Sequence, residues 1–569
     1  MKPLENRTVA AAYLAQLAER GVEYLFGNAG TDFAPLIEAY AQAAQTGGAV
    51  PRPILATHEN LAVSMAHGYA MVSRRIPAVM VHVSVGTANT ICAALNAARE
   101  NVAILLTAGR SPLTESGLPG SRDGYIHWAQ EMYDQAGMIR EAVKWDYELR
   151  NGEQLATVVD RALAIAASEP RGPVYLSLPR EVIAAPMPAQ PRPRPFSPAA
   201  APAPDATAIA QAAQILAAAK RPLIVTSNAG RDAAAFAALA DFAARFAIPV
   251  VQHRPRYFSV PSSHPMNLGF DPARLVPRAD AILVLECDVP WIPSRVEPAP
   301  DCKVIQCGLD PLFARYPVRG FPCDVAIAAG TAAALSALAA ALAGKADAAA
   351  IEQRRSQIAD ERAGIVAGWK AAREAGARKN PLDPAWVSHC IGRAKDEHAI
   401  VVNEYTLFAE QCAFEQADLY FGSSSASGLG WGAGAALGAK LARPERSVIA
   451  VLGDGAYMFS NPAAVHHASA LHELPALFVV MNNSMWGAVE RSTRAMYADG
   501  RAAKSNDPPF IRLKQLPAFE RLCEAAGGYG ERVEDPAALP DALERALAVV
   551  ANEKRQALLN VICGPGGSA

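Results

Sequence analysis

The sequence predicts an α/β protein of three Rossmann-like domains, each built on a parallel sheet. Short apolar runs of strand length alternate with helical segments, which is typical of parallel sheets. A proline-rich stretch and, further on, a charged helical stretch interrupt this alternation. The 569 residues are enough for about three or four domains of ordinary size. We expect domains at residues 1–186, 205–344 and 381–569, with linkers at 187–204 and 345–380.

The apolar runs give the expected strands of each domain. In the first domain they cover residues 23–27, 53–57, 78–83, 103–109 and 173–179. In the second they cover residues 222–227, 249–253, 281–286 and 303–308. In the third they cover residues 399–404, 447–453, 476–483 and 557–563. Residues 325–344 carry no charge, but their many alanines predict a helix packed in a soluble domain, so we expect no membrane partner.

Charge and cysteine content restrict the partners and the location. The 53 basic and 55 acidic residues nearly cancel and neither sign is concentrated, so we expect small-molecule partners and no nucleic acid. The nine cysteines are scattered without a C-x-x-C pair, which favours a reducing compartment. The first residues lack an apolar core with a cleavage site, so we expect a cytoplasmic protein.

The most informative stretch lies in the third domain. An apolar run over 448–452 ends in Gly-Asp-Gly at 453–455, and a later run over 477–481 ends in Asn-Asn at 482–483. Parallel strands end at the same edge of a sheet, so Asp454 should lie near the two asparagines. Carboxylate and amide oxygens suit a hard divalent cation that carries phosphates, such as Mg²⁺. Taken separately, the first motif could be a turn and the second a helix cap.

Gly-Asp-Gly followed by 26 residues and Asn-Asn resembles the diphosphate-binding motif of enzymes that depend on thiamine diphosphate (ThDP). The resemblance covers all three domains in order, which implies that the first binds the pyrimidine ring and the third the diphosphate. It implies that Asp454, Asn483 and the carbonyl group of Met485 hold Mg²⁺. It places Gly455 and Ala456 beside the diphosphate. It leaves open whether the central domain binds FAD or another nucleotide.

A second glycine motif, at residues 428–434, is similar to the glycine loop of a dinucleotide-binding fold. That fold needs an acidic residue about 20 positions further on, and the candidate, Asp454, already belongs to the Gly-Asp-Gly motif. The ThDP resemblance instead places this loop, including Gly428, beside the thiamine rings. It implies that the Ser427 carbonyl binds the amino group of the pyrimidine and that Leu429 wedges between the two rings.

Two side chains upstream complete the implied cofactor site. ThDP chemistry needs a carboxylic acid beside the aminopyrimidine ring, and Glu59, which follows a predicted strand and begins a helix, resembles this acid. We expect this acid to be buried. Alternatively, Glu59 is simply a favourable acid in a first helical turn. In the family this acid and the diphosphate site come from different subunits, which implies at least a homodimer, and we expect a homotetramer. Thr406 matches a hydroxyl on the diphosphate side.

The substrate residues rest on resemblances to two subgroups. His82, four residues before Gly-Thr-Ala-Asn at 86–89, resembles the active-site histidine of benzoylformate decarboxylases. An early loop ending at Thr31 resembles the loop with which that subgroup binds the substrate carboxylate. Residues 481–489 are also similar to the benzoylformate decarboxylases. Gln130 resembles a glutamine that lines the active site of acetohydroxyacid synthases. The residues assigned to the substrate on this basis are Thr31, His82, Gln130, Trp486 and Ala488.

Some features of the sequence depart from these subgroups. The second active-site histidine of the benzoylformate decarboxylases is not evident in the middle domain, where Trp291 stands near its place. His82 could also be a structural histidine within a strand. His466, His467 and His472 lack a zinc-binding pattern, and we expect them to be structural.

The resemblance implies a ThDP- and Mg²⁺-dependent enzyme that cleaves the carbon–carbon bond next to a ketone. The expected reaction is decarboxylation of a 2-oxo acid, in which Glu59 activates the cofactor and His82 moves a proton. The alternatives are a carboligase of the acetohydroxyacid synthase type and a lyase or hydrolase of hydroxyketones, diketones or CoA esters. A catalytically silent ThDP-binding protein would be expected to lack Glu59 or Asp454, and both are present.

Overall fold

The computed structural model describes residues 7–188, 194–505 and 507–564. It contains three domains, each with a parallel β-sheet and connecting helices, which confirms the predicted fold class. Each sheet lies inside one of the predicted domain ranges, whereas the boundaries themselves stay a prediction. Part of the predicted proline-rich linker, residues 189–193, lies outside the described residues, and residues 194–203 are exposed and without regular structure.

The first domain has the strand order β2-β1-β3-β4-β6-β5. Its strands are β1 (Tyr24–Gly27), β2 (Arg52–Leu55), β3 (Ala78–Val81), β4 (Leu105–Arg110), β5 (Asp146–Glu148) and β6 (Val174–Pro179). Its helices are α1 (Val9–Glu19), α2 (Ala34–Thr46), α3 (Glu59–Ser73), α4 (Val83–Arg99), α5 (Ile126–Ala129), α6 (Leu155–Ala167) and α7 (Arg180–Ala184). The N-termini of α3 and α4 both follow strand ends, so Glu59 and His82 lie at one edge of this sheet.

The central domain has the strand order β11-β10-β9-β7-β8. Its strands are β7 (Pro222–Thr226), β8 (Val250–Gln252), β9 (Ala281–Leu285), β10 (Lys303–Gly308) and β11 (Val325–Ala328). Its helices are α8 (Ala206–Ala218), α9 (Ala233–Phe246) and α10 (Thr331–Leu342). The charged connector predicted from the sequence forms one long helix, α11 (Ala348–Gly376), whose N-terminus is capped by the side chain of Asp347.

The third domain has the strand order β13-β12-β14-β15-β17-β16. Its strands are β12 (Ile400–Glu404), β13 (Tyr420–Gly422), β14 (Val448–Gly453), β15 (Leu477–Asn482), β16 (Tyr529–Val533) and β17 (Ala557–Ile562). Its helices are α12 (Pro384–Ala394), α13 (Gly432–Ala442), α14 (Asp454–Phe459), α15 (Pro462–Leu471), α16 (Gly487–Met496), α17 (Arg501–Lys504), α18 (Phe519–Ala525) and α19 (Leu539–Ala548). Counted within each domain, the strand order is the same as in the first domain.

Every strand predicted from the sequence is present, and the structure adds β5, β11, β13 and β16. Each added strand lies at an edge of its sheet. The prediction of a single helix over residues 325–344 was wrong. In β11 buried Val325 and Ile327 alternate with exposed alanines, which is a strand pattern, and α10 begins only afterwards. Within the described ranges no helix is long and apolar enough to cross a membrane.

Helices α3 and α13 dock the first domain onto the third domain of the same chain. A Cβ atom on Gly68 would lie 2.0 Å from the carbonyl oxygen of Ala435, and one on Gly438 would lie 1.9 Å from that of Met65. The two backbones therefore approach so closely that only glycine fits at either position. This contact fixes how the edges of the two sheets face each other.

Candidate active site

The carboxyl ends of β14 and β15 bring the predicted cation ligands together. The strands pair in parallel, with Gly453 opposite Met481. Asp454 is buried, and its two carboxylate oxygens accept the backbone N–H groups of Gly455 (2.7 Å) and Ser484 (2.6 Å). Burial raises the pKa of Asp454 above the usual aspartate range. Asp454 therefore lies beside the Asn-Asn motif, as expected.

The two asparagines have different surroundings. Asn482 is buried and bonded inside the domain, because its amide donates to Asn560 (3.1 Å) and its oxygen accepts from Ser484 (3.1 Å). Asn483 is only partly buried, and its oxygen accepts the N–H of Met485 (3.1 Å). In the part of the chain that the structure describes, no hydrogen bond ends on the carbonyl oxygen of Met485. The side-chain oxygen of Asn483 and the carbonyl oxygen of Met485 thus keep a lone pair for a ligand, whereas the side-chain oxygen of Asn482 does not.

The hydroxyl of Thr406 supplies a test of whether a diphosphate fits here. Its Oγ1 atom is buried and has no hydrogen-bond partner among the described residues. Thr406 lies against Gly453, where an added Cβ atom would be 3.3 Å from its Cγ2 atom. A buried hydroxyl without a partner is costly unless a ligand satisfies it. Together with Asp454, Asn483 and Met485, this donor set fits Mg²⁺ and a phosphate group.

Trp486 covers the first turn of α14, which contains Gly455 and buried Ala456. A Cβ atom on Gly455 would lie 2.2 Å from the indole ring. The indole also packs edge to face on Phe459, with ring centroids 5.7 Å apart. Ala488, two residues further on, is exposed on α16. The structure thus places Trp486 beside the cation ligands, and Ala488 at the outer surface of this edge.

The glycine loop is held by a carboxylate that the sequence analysis missed. Glu404, the last residue of β12, is buried and accepts the N–H groups of Gly430 (2.8 Å) and Gly432 (2.7 Å). Burial raises the pKa of Glu404 to about 7. Within the loop Ser427 has a φ of +55°, which is unusual for a residue other than glycine. Leu429 is only partly buried.

Glu59 begins α3 at the edge of the first sheet. The side chain of His58 caps this helix by accepting the N–H of Asn60 (3.1 Å). The carboxylate of Glu59 accepts a hydrogen bond from the Asn89 amide (3.0 Å). The expectation that Glu59 is buried was wrong for the single chain, in which the residue is partly exposed.

His82 forms a close pair with Asp32, a residue that the sequence analysis did not single out. The Nδ1 atom of His82 lies 2.6 Å from one carboxylate oxygen of buried Asp32, and the other oxygen accepts the N–H of Val83 (3.2 Å). The hydrogen bond to Asp32 raises the pKa of His82, although partial burial opposes it. His82 precedes α4 and is not within β3, and Thr31 beside Asp32 is exposed.

Gln130 lies next to this pair. Its backbone carbonyl accepts the hydroxyl of Ser84 (2.8 Å), in the first turn of α4. Its side-chain oxygen is buried, and no donor among the described residues satisfies it. The Gln130 side chain lies near the imidazole of His82. The residues that resemble two different subgroups, His82 and Gln130, therefore share one site.

Comparison with known families decides the class of protein. Residues 7–138 match the N-terminal thiamine pyrophosphate (TPP) binding domain of the thiamine pyrophosphate enzymes. Residues 209–338 match the central domain of these enzymes, and residues 402–561 match their C-terminal TPP binding domain. The chain belongs to the thiamine pyrophosphate enzymes. This family assignment confirms the resemblance that the Gly-Asp-Gly and Asn-Asn motifs indicated.

Individual thiamine pyrophosphate enzymes are similar over almost the whole chain. Benzoylformate decarboxylase of Pseudomonas aeruginosa is 27% identical over 562 residues, which are 95% of this chain and 97% of that protein. Acetolactate synthase isozyme 3 large subunit of Escherichia coli is 24% identical over 577 residues, 97% of this chain and 94% of that protein. The solved 4-hydroxybenzoylformate decarboxylase of Rhodococcus jostii RHA1 has the same fold, with a TM-score of 0.79, 22% identity, and coverage of 99% and 100%.

The central domain of this thiamine pyrophosphate enzyme contributes less to the site than the sequence suggested. Trp291 does not reach the site, because it is buried in the core of the central domain against Phe321, with ring centroids 5.4 Å apart. At the carboxyl edge of the central sheet, Glu286 accepts the N–H of Leu309 (3.0 Å) and the hydroxyl of Thr331 (3.1 Å). A carboxylate thus occupies two hydrogen-bond donors at this edge of the central sheet.

Two of the three histidines after the Gly-Asp-Gly motif, His466 and His472, have structural partners, whereas His467 is exposed. His466 is buried between Tyr457, whose hydroxyl is 2.6 Å from Nε2, and Gln556, whose oxygen is 2.7 Å from Nδ1. Burial lowers the pKa of His466 to about 4, so the ring is neutral. His472 lies 2.8 Å from the carbonyl oxygen of Leu55, across the contact between the first and third domains.

Proposed function

We propose that this thiamine pyrophosphate enzyme is an Mg²⁺-dependent decarboxylase of a 2-oxo acid, similar in reaction to benzoylformate decarboxylase. The observation that carries the proposal is the His82–Asp32 pair beside Gln130. A buried carboxylate that raises the pKa of an imidazole favours its protonated form, which can donate a proton. The protonated imidazole also suits a substrate carboxylate. The relative from Pseudomonas aeruginosa, similar over nearly the whole chain, supports the same class of reaction.

Each residue of the site has a part in this proposal. Bound ThDP would supply the electron sink that decarboxylation needs. Asp454, Asn483 and the Met485 carbonyl would hold Mg²⁺, and the unpartnered hydroxyl of Thr406 would donate to the diphosphate. The carboxyl group of Glu59 would share a proton with the aminopyrimidine ring. The Nε2 atom of His82 would donate a proton to the product, because Nδ1 is bonded to Asp32.

A carboligase is the second candidate, and Gln130 is the observation that favours it. The side-chain oxygen of Gln130 is buried without a partner next to His82, so it could accept a hydrogen bond from a second substrate. A carboligase would release a 2-hydroxyketone or an acetolactate-like acid, whereas a decarboxylase would release an aldehyde. A lyase or hydrolase of hydroxyketones, diketones or CoA esters stays an alternative on the resemblance alone.

The experiment that tests the proposal follows CO₂ release and products from several 2-oxo acids. The purified protein is incubated with ThDP and Mg²⁺ and with pyruvate, 2-oxobutanoate or benzoylformate. Aldehyde formed from benzoylformate would support decarboxylation, and acetolactate formed from pyruvate would support the carboligase. If the protein binds ThDP but turns over none of these acids, the decarboxylase proposal fails. The reactions of diketones, hydroxyketones and CoA esters then become the favoured alternatives.

Replacing Asp32 with asparagine is expected to shift the pH profile of kcat/KM. The Asp32 carboxylate raises the pKa of His82, so in the wild-type chain His82 stays protonated to a higher pH than an ordinary histidine. Without the carboxylate this pKa falls, and activity that needs protonated His82 should be lost at a lower pH than in the wild-type chain. Asp160→Asn, which removes a buried carboxylate bonded to Arg20, is the matched control. Equal profiles for Asp32→Asn and wild type would contradict the role of the pair.

We also propose that the active unit contains at least two copies of the chain, with Glu59 of one copy completing the site of another. The partial exposure of Glu59 supports this. Co-expression of Glu59→Gln and Asp454→Asn chains should then give about a quarter of the wild-type sites, because mixed dimers contain one intact site. If both residues act within one chain, the mixture will be inactive. A homotetramer and a cytoplasmic location stay predictions.

A further inference from the structure

Helix α4 carries three polar groups at intervals of seven residues. They are His82 at its N-cap, Asn89 and Asn96, and two helical turns separate each from the next, so all three lie on one face at spacings of about 10 Å. His82 pairs with Asp32, and Asn89 donates to Glu59. The third group, Asn96, reaches out of the first domain and contacts the glycine loop of the third domain.

Both polar atoms of the Asn96 side chain form hydrogen bonds with the loop. Its amide donates to the carbonyl oxygen of Gly428 (2.8 Å), and its oxygen accepts the N–H of the same residue (3.0 Å). Its backbone carbonyl accepts the hydroxyl of Ser424 (3.2 Å). Asn96 is almost fully buried, with an exposed fraction of 2%. An asparagine is one of the few side chains that can donate and accept at once in this way.

The other end of the loop is held from its own domain. Glu404 accepts the N–H groups of Gly430 and Gly432, as described above. Ser427 with its positive φ directly precedes the Asn96 attachment at Gly428, and Leu429 lies between that attachment and the one to Glu404. A strained residue keeps such a conformation only where its surroundings enforce it. The conformation of this turn therefore depends on Asn96 and Glu404 together.

We propose that Asn96 is a positioning residue for ThDP. It holds the Ser427 carbonyl and the Leu429 side chain in the arrangement that receives the aminopyrimidine ring. Because Asn96 belongs to the first domain and the loop to the third, cofactor affinity depends on the docking of these two domains within one chain. The inference rests on the proposed roles of Ser427 and Leu429, and it adds a residue that does not itself touch the cofactor.

The test compares Asn96→Ala and Asn96→Asp with the wild-type full-length protein. Hydrogen exchange of the loop over residues 424–432 is measured on the protein without added ThDP. Removing Asn96 takes the acceptor from the Gly428 N–H, and we expect this amide to exchange about tenfold faster. The loss of two buried hydrogen bonds should also raise the Kd for ThDP about tenfold in the presence of Mg²⁺. Fluorescence of Trp431 and Trp486, which lie in and near the loop, reports binding without turnover.

Matched controls separate positioning from general damage. Asn151→Asp makes the same chemical change as Asn96→Asp at an exposed turn, where the side chain accepts the N–H of Gln154, and it should change neither measurement. Asn96→Asp keeps the size of the side chain and the bond to the Gly428 N–H, so it tests the inference if Asn96→Ala does not fold. The inference is overturned if the Asn96 variants match wild type in both loop exchange and ThDP affinity. It is also overturned if the loop amides exchange faster while the affinity for ThDP is unchanged. Failure of the wild-type protein to bind ThDP would instead refute the proposed function, while loop exchange still reports whether Asn96 holds the loop.

Discussion

Glu59→Gln is expected to lower kcat by about 10²- to 10⁴-fold while ThDP and Mg²⁺ still bind. Glutamine keeps an oxygen that can accept the Asn89 hydrogen bond, so the first turn of α3 should stay intact. Its amide has no acidic proton to transfer to the aminopyrimidine ring, so the cofactor would stay in its unreactive form. The loss should appear in kcat for every 2-oxo acid, because activation of the cofactor precedes substrate choice.

The measurement for Glu59→Gln pairs turnover with binding. Steady-state kinetics give kcat, and a titration that follows tryptophan fluorescence gives the Kd for ThDP, which should change little. Glu153→Gln, at an exposed turn of the same domain, is the control for the loss of one carboxylate. If Glu59→Gln keeps more than about a tenth of the wild-type kcat, Glu59 is not the activating acid.

The sequence predicted the buried strands well and the edge strands poorly. Central strands such as β14 and β15 are buried on both faces, so they appear as continuous apolar runs. The missed strands β5 and β16 lie at sheet edges and are mostly half-buried, and β5 has only three residues. A short strand that contacts a sheet on one side needs few apolar residues, so its pattern does not stand out from a loop.

The site was predictable where its residues belong to one βαβ unit. Asp454 and Asn483 end neighbouring parallel strands, and that relation follows from the sequence pattern. The side chains that support the site were missed because their partners are distant in the chain. Asp32 is 50 residues from His82, and Asn96 is 332 residues from Gly428. No local pattern connects such pairs, since only the docking of whole elements brings them together.

Asp454→Asn is expected to raise the Kd for Mg²⁺ by more than about 100-fold, because even residues behind a metal ligand cost 10- to 100-fold when removed. The substitution removes the negative charge that pairs with the cation. The apo protein should stay folded with a Tm within a few degrees of wild type. Burial raises the pKa of Asp454, which means that the folded chain bears a cost for the charged carboxylate, and asparagine relieves that cost. The same asparagine leaves one of the two N–H groups at Gly455 and Ser484 poorly satisfied, which offsets the gain.

Calorimetric titration of Mg²⁺ in the presence of ThDP tests this separation of stability from cofactor binding. Asp383→Asn is the matched control, because Asp383 caps α12 in the same domain and asparagine caps helices equally well. If Asp454→Asn binds Mg²⁺ as tightly as Asp383→Asn does, the cation ligands lie elsewhere and the roles given to Asn483 and Met485 fall with them. If binding is lost while the fold persists, the buried carboxylate is retained at this strand end for the cation, since the apo fold does not need its charge.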